Sequence, residues 1–197
     1  MTKNRTTDKG YISPDREECL RVLEEYGTPK HVIEHCKAVA AVAYALGISF
    51  NERDPSYEMD PDLILAAGLL HDMARTEESH WDVAAEACRS RGWDREAEII
   101  SLHMHYDPFN SLEDLNETDL VCLADRIVME DRYVGLRKRM EYIMEKARKK
   151  GHPEHIPHIR RRMGDVEKLI GEMEDYLGCS LDSIMEDLDY ECPEGKE

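Results

Sequence analysis

Four side chains with metal-ligand chemistry, His35, His71, Asp72 and Asp125, fall on the apolar stripes of three separate predicted helices. Such placement is costly. A buried carboxylate loses several kcal/mol of hydration unless it is paired or bound to a cation. A fold for this chain has to gather these groups around something that compensates them.

The first stripe begins after Thr28, a suitable N-cap, and Pro29, which suits a first helical position. Val32, Cys36, Val39, Ala43 and Leu46 recur at helical spacing up to Gly47, read as the stop. His35 lies three after Val32 and four before Val39. The second helix starts at Asp60-Pro61 and runs Leu63-Ile64-Leu65-Ala66-Ala67-Gly68-Leu69-Leu70, apolar all round, as expected of a central helix packed on every side. Its last turn is expected to carry His71 and Asp72. Adjacent residues diverge by about 100° on a helix, yet both can reach an ion lying beside it. The third helix begins near Asn116 and passes through Val121, Leu123, Ala124, Ile127 and Val128, with Asp125 four after Val121 and three before Val128. The competing explanation is an ion-pair network in which Arg75 and Arg126 neutralise Asp72 and Asp125.

The run His35, then Leu69-Leu70-His71-Asp72, then Leu123-Ala124-Asp125 resembles the HD-domain superfamily of metal-dependent phosphohydrolases over about residues 28 to 135. The resemblance implies that His35, His71, Asp72 and Asp125 hold one metal. Some members add two histidines between the doublet and the last Asp, and these hold a second ion. His80, at the start of a predicted helix, and His103, on the buried side of another that Asp94 caps, stand in that interval. This pattern is similar to that of the symmetrical dinucleoside tetraphosphate hydrolases. His105 is the rival to His103. Where the family often has a lysine three after the doublet's Asp, this chain has Arg75.

Mixed imidazole and carboxylate ligands suit Mn, Fe, Co, Ni or Zn better than Mg. One or two such divalent ions are expected. A bound metal lowers the pKa of its water from 15.7 toward about 7, giving hydroxide at neutral pH, and a pair can hold both the attacking and leaving oxygens of a phosphoryl transfer. Asp72 is the natural bridge. Arg75 and Arg126 are the candidates to orient phosphate oxygens. The implied activity is hydrolysis of a phosphate ester or anhydride in a nucleotide or similar small phosphate compound. A di-iron oxygenase of the HD-like type and a non-catalytic, metal-retaining regulatory or binding module are the alternatives. Oxygen consumption with iron would mark the first of these, and intact ligands without turnover the second.

Length and patterning fit one all-α, multi-helix bundle around a buried metal site. Helices are expected near 14–26, 29–46, 61–73, 80–91, 95–105, 117–131, 133–150, 158–177 and 181–189, with no sheet. Residues 1–13 read as a flexible tail, 14–150 as the core and 151–197 as a C-terminal helical extension frayed from 190. Residues 48–60 read as a polar loop rimming the site. Six scattered cysteines without a C-x-x-C fit a reduced, cytoplasmic protein. Neither a signal peptide nor a membrane span is read, and the homo-oligomeric state is left open. The net charge is −17, which argues against extended nucleic acid as partner. Residues 132–162 nevertheless hold eleven Lys or Arg against three Glu. They could receive the distal end of an anionic substrate or form a solvated face. His152, His155 and His158 recur around two prolines, which favour an irregular loop over a metal site.

Overall fold

The computed structural model describes residues 11–190. Residues 1–10 of the expected tail and nearly all of the expected frayed end lie outside the described residues. Nine α-helices are present among those described: α1 Arg16–Tyr26, α2 Lys30–Arg53, α3 Pro61–Leu70, α4 His80–Arg89, α5 Asp94–Leu102, α6 Glu117–Ile127, α7 Leu136–Lys149, α8 Ile156–Leu177 and α9 Leu181–Ile184. A short antiparallel ribbon, β1 Val128–Met129 and β2 Arg132–Tyr133, interrupts the all-helical reading. Its register pairs Val128 with Tyr133 and Met129 with Arg132.

Local chemistry explains most of the boundaries. Asp15 caps α1 through the Glu18 amide at 2.7 Å, and Gly27 ends it in the left-handed region at φ 76°. Asp60 caps α3 through the Leu63 amide, with Pro61 at the first position. Asn116 and Asp119 form a reciprocal capping box on α6.

The start of α2 departs from expectation. Its N-cap is Pro29, and Thr28 does not cap it. The buried Thr28 hydroxyl instead donates to the Met73 carbonyl at 2.7 Å, tying the entrance of α2 to the turn just beyond Asp72.

Nor does Gly47 stop α2. The helix runs on to Arg53 because Gly47 sits where α2 meets α3 and α6, with Ile64 and Leu120 against it. Tertiary packing therefore outweighs the local propensity of glycine. Residues 48–60 are not a polar loop at the site. Phe50, Tyr57 and Met59 are buried in the main core, and Asn51 pins the segment by bonding both the amide and the carbonyl of Met59 at 2.8 Å.

The core is organised around α2, α3 and α6. Every residue of α3 from Leu63 to Leu70 is buried. α2 is long and apolar enough to cross a membrane by length and composition. In the fold its middle, Ala38–Ala43, is enclosed by protein. Val166, Leu169 and Met173 of α8, with Leu181 and Met185 beyond it, share this main core. A second apolar cluster lies under α1, α4 and α5. At the start of the described chain, the Tyr11 hydroxyl donates to Glu96. Cys19, Cys36, Cys88, Cys122 and Cys179 are free thiols.

A close approach of α3 to α2 supports the site. A Cβ built on Gly68 would lie 2.6 Å from the Cα of Ala40, so α3 rides directly on the α2 backbone there. Gly68→Ala has no flexible neighbour to displace and must push the two helices apart. It is expected to destabilise the protein by about 1–3 kcal/mol in chemical denaturation and to lower its metal content. A variant with unchanged stability and full metal content would show that the close contact is dispensable.

Candidate metal centre

Two of the histidines stand where helices end. His71 is the C-cap residue of α3 and His103 that of α5. The final carbonyls of a helix lack an intrahelical partner, and each imidazole takes one. His71 Nδ1 donates to Gly68 O at 2.8 Å, and His103 Nδ1 donates to Ile100 O at 2.7 Å. These bonds assign the proton to Nδ1 and leave Nε2 directed inward. His71 and Asp72 consequently follow α3 rather than riding its last turn. The chain there tightens into i→i+3 turns, with Met73 N bonding Leu70 O and Arg75 N bonding Asp72 O.

His35 comes from α2 and is oriented by the ribbon. Its Nδ1 lies 3.0 Å from Glu130 O, and its Nε2 lies 3.1 Å from Asp125 Oδ1. Glu130 holds a left-handed conformation at φ 56° between the two strands. His80 opens α4 and Asp125 lies on α6. Trp93 occupies the N-cap of α5, and Asp94 is its first residue, so the expected Asp94 cap is not formed.

Six side chains converge in two groups. Ligand atoms of His35, His71 and Asp125 lie within 4.8 Å of one another, as do those of Asp72, His80 and His103. Asp72 links the groups. Its Oδ2 is 3.7 Å from His71 Nε2, while its Oδ1 is 3.1 Å from His80 Nε2 and 3.5 Å from His103 Nε2. Asp72, His71, His80 and His103 are buried, whereas the His35 and Asp125 side chains are 13% and 21% exposed.

His71 Nε2 and His103 Nε2 are buried without a hydrogen-bond partner. Such orphaned groups carry their full desolvation cost. Imidazole nitrogens aimed at carboxylates inside a core fit a divalent transition cation, and backbone carbonyls already orient the rings from behind.

The electrostatics agree with that donor set. Burial pushes His71 down to about 4, so it is neutral and ready to ligate. Burial also opposes protonation of His35 and His103, but the facing carboxylates outweigh it, Asp125 for His35 and Asp72 for His103, and both pKa values are raised. Burial would raise Asp72 and Asp125. The surrounding imidazoles, with Arg75 beside Asp72, hold both well below the usual carboxylate range.

The arginines divide. Arg75 Nη1 lies 3.3 Å from Asp72 Oδ1 and 3.0 Å from His80 Nε2, at the mouth of the centre. Arg126 does not pair with Asp125. It donates to the Tyr106 carbonyl and stacks 4.5 Å over Phe109. One residue beyond Asp125 on a helix, it leaves by a different flank and lines a second cavity of about 250 Å³ together with His103, Asp125, Met140 and Arg162. Arg139 of α7 approaches Asp125 instead, at 4.0 Å, with its Nε buried and unpartnered.

Sequence reasoning left Arg139 within a generic basic run. The available signal was its position three after Leu136 and one before Met140, beside the apolar stripe of α7. The carbonyl of Glu130 had no comparable signal. His105 is exposed and packs on Trp81, outside both groups. His152, Glu154 and His155 cluster in the open around a short 3-10 turn, while His158 lines the Arg126 cavity.

A cleft of about 460 Å³ opens onto His35 and Asp72 and is walled by Arg75, Arg139, Tyr142 and Lys146. The buried ligand groups are thus reached from this cleft at His35 and Asp72 and from the Arg126 cavity at His103 and Asp125.

Metal analysis of the purified chain is expected to find two cations. The His80→Ala/His103→Ala double variant should retain one, and Asp72→Ala should lose or badly weaken both. Full occupancy in the Asp72 variant would contradict this assembly. Loading must also expel the protons that raised pKa values place on His35 and His103. Uptake in weak buffer should therefore release more protons at pH 6.5 than at pH 8.5, and affinity should fall as pH drops. Proton release independent of pH would contradict the assignment.

Among curated proteins, the chain is 27% identical over 177 residues to a tRNA (cytidine(56)-2'-O)-methyltransferase of Thermoplasma volcanium, covering 82% of this chain and 49% of that protein. It is 28% identical to an uncharacterized protein of Methanocaldococcus jannaschii over 153 residues, covering 70% of this chain and 88% of the relative. A tRNA (cytidine(56)-2'-O)-methyltransferase of Picrophilus torridus is 26% identical over 191 residues, with 89% and 51% covered. The chain thus spans about half the length of both methyltransferases. No solved structure matches it at comparable significance. The HD-domain family profile matches residues 32–130, a segment that contains all six converging side chains and amounts to half of the sequence. With its mostly helical fold and buried His/Asp cluster, the chain belongs to the HD-domain family, a superfamily of metal-dependent phosphohydrolases.

Proposed function

We propose that this protein is a metal-dependent phosphohydrolase cleaving a phosphate ester or anhydride of a nucleotide or similar small phosphate compound. The observation that carries this reading is the position of Asp72 between two ligand groups, at the foot of a cleft that also presents Arg75 and Arg139. The ligands His35, His71, Asp72, His80, His103 and Asp125 suit Mn, Fe, Co, Ni or Zn. The chemistry such ions supply is activation of water and polarisation of a phosphoryl oxygen.

The chain's own residues do the rest. Arg75 lies close enough to the centre to hold a phosphoryl oxygen, and its planar fork suits that contact. Arg139, with a free buried Nε, is placed to steady a second oxygen from the opposite wall. Burial of Asp72 and His71 keeps bulk water from these two ligands. In the reaction, a water oxygen forms the new bond to phosphorus, the ester or anhydride P–O bond breaks, and the leaving oxygen ends protonated.

Two relatives carry the names of enzymes acting on a cytidine of tRNA. Those names favour a substrate from the nucleotide and RNA pool.

Screening the Mn-, Fe-, Co-, Ni- and Zn-loaded protein against nucleotides should give phosphate release with at least one ion. Arg75→Ala should lower kcat/KM by about ten- to hundredfold at near-normal metal content. Retained metal with no turnover across the panel would replace this reading with a binding module. Oxygen consumption by the iron form would replace it with an oxygenase.

A further inference from the structure

The cleft at the metal centre continues outward. Two of its lining residues, Tyr142 and Lys146, also line an adjoining hollow of about 320 Å³ together with Glu145, Lys149 and Lys150. One groove therefore leads from His35 and Asp72 along α7. Between Arg139 and Lys149 it follows the helix for about 15 Å, longer than the phosphate of a mononucleotide requires.

The walls of the groove differ in charge. Residues 136–150 contain seven Lys or Arg and two Glu, and one of those acids, Glu145, is paired with Lys149 at 2.7 Å. Midway sits Tyr142, 39% exposed, with the Arg139 guanidinium and the Lys146 ammonium each 5.9 Å from its ring centroid. The opposite wall carries Glu34, Glu130 and Asp131. Glu34 is engaged by Lys37 and Asp131 by Arg132. An exposed aromatic face flanked by cations matches a base with phosphates on either side. An acidic wall facing it leaves no place for a second phosphate backbone.

We propose that this groove binds a single-stranded oligonucleotide whose end enters the metal centre. A base stacks on Tyr142, and the phosphates beyond it lie along Lys146, Lys149 and Lys150. The identity of the reacting end rests on the phosphohydrolase reading; the groove rests on α7 alone. The overall charge of −17 weighs against an extended nucleic acid but less against a short strand on α7, where basic side chains are concentrated and field strength is local.

The test is fluorescence anisotropy on the full metal-loaded chain with a labelled pentauridylate, with uridine monophosphate and a sixteen-base-pair RNA duplex as competitors. Pentauridylate should bind at least tenfold more tightly than either competitor. Tyr142→Ala should weaken it about tenfold. Lys146→Glu/Lys149→Glu should weaken it further and flatten its salt dependence. Metal content should be unchanged in both variants. Equal affinity for the monophosphate or the duplex would overturn the proposal, as would undiminished binding in both variants. If no compound releases phosphate, the phosphohydrolase reading falls while oligonucleotide binding stands. If small phosphates are hydrolysed and the oligonucleotide does not bind, this inference alone falls.

Discussion

The Asp72 carboxylate, almost out of water, faces imidazoles from three elements, with one oxygen toward His71 and the other toward His80 and His103. Alone, an ionised carboxylate in that position would be strongly unfavourable. Nitrogen donors from His71, Arg75, His80 and His103 supply the compensation, and they come from the turn after α3, the start of α4 and the end of α5. The packing of α3 onto α2, the turn after α3, the start of α4 and the end of α5 all have to be in place for that compensation to exist. The Thr28 hydroxyl bond to Met73 and the contact of Gly68 with Ala40 hold the carboxylate's immediate surroundings in register.

Helix ends do much of the positioning. His71 and His103 each satisfy an orphan carbonyl of their own helix with Nδ1, so the same bond that finishes the helix also aims Nε2 at the centre. His35 Nδ1 makes the equivalent bond by donating to the ribbon carbonyl of Glu130. A ligand set oriented by main chain resists rearrangement when the ion leaves, because the backbone bonds do not depend on the ion. His35 and Asp72 line the cleft while His103 and Asp125 line the second cavity, so each ligand group has one member reachable from either side.

Much of this was readable in advance because burial and periodicity report the same thing. His35 beside Val32 and Val39, the uninterrupted apolar run of α3 and the Asp125 stripe all had a helical period to betray them. The buried position of His103 was visible for the same reason. What escaped was set by contacts between distant segments. Gly47 signals a stop locally, but neighbouring helices keep α2 going past it. Thr28 has the chemistry of a cap and spends its hydroxyl on Met73. A ribbon of two residues per strand is too short to show alternation. Arg126 had the right charge next to the right acid, and helical geometry sent it elsewhere. Arg139, more than ten residues away in sequence, reached the acid instead.

The account turns on one carboxylate serving two cations. Electron paramagnetic resonance of the protein loaded with two equivalents of manganese addresses this most directly. Two ions held through Asp72 would lie about 3.5–4 Å apart, and an exchange-coupled spectrum that vanishes in Asp72→Ala is expected. Two independent six-line signals, each fully occupied and uncoupled, would contradict it.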